Sequence, residues 1–75
     1  LIFVDAPDNI LAFKRICVEN RLFIIQNLGK HSVSIEQMLP EKYEIIYGSI
    51  KNTEKNKLIE PYKTIWLNLY EKYTV

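Results

Sequence analysis

Five of the six aromatic residues in the second half of the chain, Tyr43, Tyr47, Tyr62, Trp66 and Tyr70, are the side chains best equipped for chemistry. Flat rings stack on the apolar C–H face of a sugar, and they also supply large buried area to a core or a domain seam. A strand running from residue 62 to 70 would put Tyr62, Trp66 and Tyr70 on one face, because side chains alternate with period two. Core or seam is the expectation, and sugar stacking is the sharper alternative.

Other reactive residue types stand alone. His31 lies between Lys30 and Ser32 in a polar turn, with no second ligand type nearby, so a zinc site is not expected. The same histidine is too close in sequence to Ser32 and Ser34 to serve either as the base of a triad. Asp5 and Asp8 bracket Pro7 in a cluster of turn formers, where short acidic side chains bond backbone groups. Cys17 is the single cysteine, which makes an intramolecular disulfide impossible and suits a reducing, cytoplasmic setting. No catalytic residues, cofactor or metal site is expected of this chain alone.

Charge narrows the partners. Ten basic against nine acidic residues give a formal charge of +1, which offers little attraction for nucleic acid. Lys51, Lys55, Lys57 and Lys63 are interspersed with Glu44, Glu54 and Glu60, the pattern of a solvated loop. No apolar run approaches the roughly 20 residues of a membrane-spanning helix.

The elements that must position these residues read as strands. Leu1 to Val4 is a short apolar run, Ile10 to Val18 is rich in β-branched and aromatic residues, and Leu22 to Leu28 is the most hydrophobic stretch. Glu19-Asn20 fits a tight hairpin turn between the latter two. Ser32 to Glu36 alternates polar and apolar, Tyr43 to Tyr47 ends at Gly48, and Tyr62 to Leu69 follows Pro61 at a first strand position. Ser49 to Lys57 reads as an exposed hairpin tip or loop.

Turn-separated strands at this spacing predict an all-β fold, a small antiparallel β-sandwich of about five to seven strands in largely meandering order. Leu22 to Leu28 should be its central strand. It carries Leu22, Ile24 and Leu28 on one side and Phe23 and Ile25 on the other, so both of its faces need cover. The 75 residues make one domain, and a chain so short hides only about 60% of its unfolded surface, so a covering neighbour is expected.

Three segments together, Ile10-Leu11-Ala12-Phe13-Lys14-Arg15, Leu22-Phe23-Ile24-Ile25-Gln26-Asn27-Leu28 and Pro61-Tyr62 before Trp66-Leu67, resemble the C-terminal β-sandwich of the alpha-amylase family of glycoside hydrolases and transglycosylases. The ending Pro61-Tyr62-Lys63-Thr64-Ile65-Trp66-Leu67 is most similar to sucrose-phosphorylase-like members. The resemblance spans nearly the whole chain, 1–75, and implies an accessory domain that stabilises a catalytic barrel, cut from a larger enzyme of sucrose, trehalose or maltooligosaccharide metabolism. The family's catalytic residues sit on that barrel, and none of their motifs occurs in this chain.

The resemblance implies the barrel as partner. A carbohydrate-binding module and a free-standing interaction domain are the alternatives. Arg15 shares a face with Phe13, where it pairs with a carboxylate at the seam or lays its stem over apolar surface. Asn27, just before Gly29, is expected to bond turn backbone. The isolated domain is expected to self-associate through an uncovered apolar patch.

Overall fold

A computed structural model describes residues 1–16 and 21–69. Cys17, the Glu19-Asn20 turn and Tyr70 lie outside the described residues. Eight strands follow in order: β1 (Ile2–Phe3), β2 (Ile10–Ile16), β3 (Arg21–Asn27), β4 (Val33–Ser34), β5 (Tyr43–Tyr47), β6 (Lys51–Asn52), β7 (Lys57–Ile59) and β8 (Thr64–Leu69). A short 3-10 turn at Glu36–Met38 links β4 to β5. All strand pairs are antiparallel, in a five-stranded sheet ordered β1-β2-β3-β8-β5 and a three-stranded sheet ordered β4-β7-β6. The all-β class follows from the strand patterns. Among the described residues the strands number eight because two-residue segments also pair.

Strand β3 is central, as its hydrophobicity requires. Its inward residues Phe23, Ile25 and Asn27 are buried, and they meet Ile65, Leu67 and Leu69 of β8 in one layer. The small sheet closes this layer with Ile59 of β7, and Ile35, just after β4, lies beside it. Ala12 of β2 is buried in the same layer. Lys14, also inward on β2, holds its ammonium 5.7 Å from the centre of the Phe23 ring. No helix among the described residues is long and apolar enough to cross a membrane.

The order is a meander only through β1, β2 and β3. The chain then builds β4, comes back to the first sheet as edge strand β5, and leaves again for the β6–β7 hairpin. It returns as β8, inserted between β3 and β5. Burial explains the insertion: β8 has three core side chains on one face and Trp66 on the other, whereas β5 is largely exposed and fits an edge.

The Ser49-to-Lys57 loop is shorter than its polarity suggests. Strand β6 and the start of β7 occupy its ends, and Thr53 and Asn56 close the tip. Thr53 N–H donates to Asn56 O at 2.8 Å, and Asn56 N–H donates to Thr53 Oγ1 at 3.0 Å.

Candidate functional site

The small sheet covers one face of the large sheet. The other face carries a row of apolar side chains in direct cross-strand register: Phe3 opposite Phe13, Phe13 opposite Ile24, Ile24 opposite Trp66, and Trp66 opposite Tyr47. All five strands contribute one residue, so at about 4.8 Å per strand the row runs roughly 19 Å. Ring pairs stand at both ends, Phe3 with Phe13 at 6.0 Å and Tyr47 with Trp66 at 6.1 Å between centroids. Both are tilted contacts of the favourable kind. Phe3 is 66% exposed, Tyr47 62% and Trp66 42%, while Ile24 in the middle is covered by its neighbours.

Polar groups flank the row. On one side Gln26 Nε2 donates to Thr64 Oγ1 at 3.3 Å. On the other, Arg15 stands opposite Leu22, Leu22 opposite Asn68, and Asn68 opposite Glu44. Arg15 therefore shares the face of Phe13, as its spacing requires, at the border of the apolar row.

Tyr47 reaches this face through an irregularity. Tyr43 and Ile45 pair with Leu69 and Leu67 on the core side, and strict alternation would send Tyr47 inward too. The register shifts between Ile45 and Tyr47, which places Tyr47 opposite Trp66 on the outer face. Immediately after it, Gly48 has φ +83, and a Cβ there would come within 2.4 Å of Thr64 O. Only glycine meets both demands at this close approach.

Beyond Tyr47 lies an open hollow lined by Tyr47, Gly48, Ser49, Glu60, Tyr62, Lys63 and Thr64. Its far wall is the turn from Glu60 to Lys63, where Lys63 N–H donates to Glu60 O at 3.3 Å. Pro61 and Tyr62 take the central turn positions, and Tyr62 has φ +57. That is the pattern of a type II turn, whose third residue is ordinarily glycine.

The aromatic expectations are corrected here. Tyr62 sits in the turn before β8 and is not on a strand, because its positive φ breaks the extended run; it therefore does not share a strand face with Trp66. Tyr43 packs against the core as expected, whereas Tyr47, Tyr62 and Trp66 are exposed, at 62%, 71% and 42%. Trp66 stands where alternation puts it, on the face opposite Ile65 and Leu67. His31 is exposed, and among the described residues no group of three or more His, Cys, Asp or Glu could hold a metal ion. Sequence reasoning missed Phe3, Phe13, Ile24 and Tyr47 as parts of one surface, and cross-strand register was the missing signal.

Asn27 secures the end of the central strand beside this region. Its side chain is buried; Oδ1 accepts from Gly29 N–H at 2.9 Å, and Nδ2 donates to His31 O at 2.7 Å, Glu60 O at 3.2 Å and Ile59 O at 3.3 Å. The expected turn contact is present, and a second role joins it. One amide ties the five-stranded sheet to the end of β7 in the other sheet and to the turn that carries Tyr62.

In comparisons with protein families, curated proteins and solved structures, nothing matches this chain.

Proposed function

We propose that this chain is a non-catalytic accessory β-sandwich domain of an alpha-amylase-family carbohydrate-active enzyme, working in the cytoplasm on sucrose, trehalose or maltooligosaccharides. The chain packs on the catalytic barrel and stabilises it, and the reaction itself belongs to the barrel. The in-register row Phe3, Phe13, Ile24, Trp66 and Tyr47 carries this reading, because it lies on the sheet face that the second sheet leaves open. Burying such side chains stabilises a contact by about 1.5–3 kcal/mol each. Flanking Arg15 gives the seam a charge at its border, where charges mainly set orientation.

The test has two stages. The reading frame on the N-terminal side of Leu1 is sequenced first, and it should encode an eight-stranded barrel with a catalytic aspartate and glutamate. Co-expressed as a separate chain, that barrel should co-purify with this domain, and Phe13→Lys or Ile24→Lys should abolish the complex. A frame encoding no such barrel, or a complex indifferent to both substitutions, overturns the reading.

A further inference from the structure

We propose that two copies of this chain close on each other through the open sheet face, as a symmetric dimer whose two-fold axis runs between β3 and β8. The face is the one assigned above to the barrel, but the dimer rests on cross-strand register alone and stands whether or not a barrel exists.

Register makes this face complementary to itself. An axis along the strands, midway between β3 and β8, exchanges those two strands and exchanges β2 with β5. Each cross-strand row then meets its own copy in reverse order. In the apolar row Phe13 faces Tyr47 of the second copy and Ile24 faces its Trp66, each contact occurring twice. In the neighbouring row, Arg15 faces Glu44 of the second copy, so two pairs of opposite charge form at the borders. Leu22 and Asn68, between them, form a mixed pair. On the other flank Gln26 faces Thr64, the residue it already bonds at 3.3 Å within one chain.

Charge is what selects a second copy as occupant. A border carrying one sign of charge would repel its own image. Here a cation on β2 and an anion on β5 stand at exchanged positions of one row, which is what an isologous interface requires. Sheets packed face to face keep their strands within about 30° of each other, an offset that the long side chains of Arg15 and Glu44 span. Phe3, on β1, falls beyond the four exchanged strands and stays at the rim.

Area sets the strength. Four strands cover about 19 Å, and the seven residues of β3 extend about 23 Å. Such a face hides on the order of 500 Å² per copy, so the pair reaches about 1,000 Å², the lower bound for a specific interface. The dissociation constant should therefore lie at roughly 10–100 μM.

The test is sedimentation of the full chain from about 1 μM to about 500 μM. The mass should rise and level off at two chains, and emission of Trp66, the one tryptophan, should shift to shorter wavelength in step. Arg15→Glu and Glu44→Arg should each weaken the dimer about tenfold, because each sets like charges opposite each other twice. Mixing these two variants should restore association to within about threefold of the parent, since the mixed dimer pairs opposite charges at both borders. Phe13→Ser should abolish dimers, whereas Phe3→Ser, at the rim, should weaken them less than about threefold. A parent that stays monomeric, or whose mass climbs past two chains without levelling, would overturn the dimer. Mixed charge variants that associate no better than each alone would overturn the axis, as would equal losses in Phe3→Ser and Phe13→Ser. None of these outcomes bears on capture of the barrel, which co-purification tests separately.

Discussion

Two residues at the junction of the sheets have roles that their chemistry dictates. Asn27 offers two N–H groups to three backbone carbonyls and accepts one N–H in return. Asn27→Ala removes all four bonds at a buried site and strips Gly29 N–H of its acceptor, and thermal or urea unfolding should show a loss of about 2–4 kcal/mol. Asn27→Asp keeps the shape but turns a carboxylate oxygen toward those carbonyls, so its loss should be at least as large; a milder effect would show that the amide's donors contribute nothing. Gly48→Ala should cost about 2 kcal/mol or more, since the added methyl meets backbone and the positive φ disfavours it. The turn bond of Asn27 was legible from its place before Gly29. Its bonds to Ile59 and Glu60 were not, because they join residues 32 and 33 positions apart.

At the scale of elements, the apolar run of β3 announced a central strand, and both of its faces are used, but unequally. Phe23 is fully buried on the core side, whereas Ile24 is shielded only by side chains of the outer row. Phe23→Ala should therefore cost about 3–5 kcal/mol and Ile24→Ala nearer 2, against a total of roughly 4–11 kcal/mol for a domain this size. Equal melting of the two variants would mean that the faces are misassigned. Strand β7 escaped the sequence because Lys57-Leu58-Ile59 directly follows a polar run, and its apolar content is only two residues. The site escaped for a different reason. Period-two reasoning places Tyr47 with Tyr43, and one irregular residue in β5 reverses that assignment. Local pattern fixes which segments are strands. Tertiary pairing decides which strand lies beside which, and the insertion of β8 between β3 and β5 has no local signature.

Among the described residues the molecule is a sandwich whose large sheet has one face closed by the small sheet and one face open. The open face should make the isolated chain self-associate, with weight-average mass rising with concentration in sedimentation experiments. Phe13→Lys combined with Trp66→Lys should return it to monomer, and the core residues Phe23, Ile25 and Leu67 should keep the fold intact. A strictly monomeric parent would show that the open face carries no appreciable adhesion. The kink in β5 has a consequence for the sheet's border as well. Tyr43-Glu44-Ile45-Ile46-Tyr47 is rich in β-formers and lies at an outer margin of the large sheet, the position at which strands are recruited from other molecules. The irregular register interrupts that template. Deleting Ile46 would straighten it, and agitated solutions of the shortened chain should form thioflavin-positive fibrils sooner than the parent does.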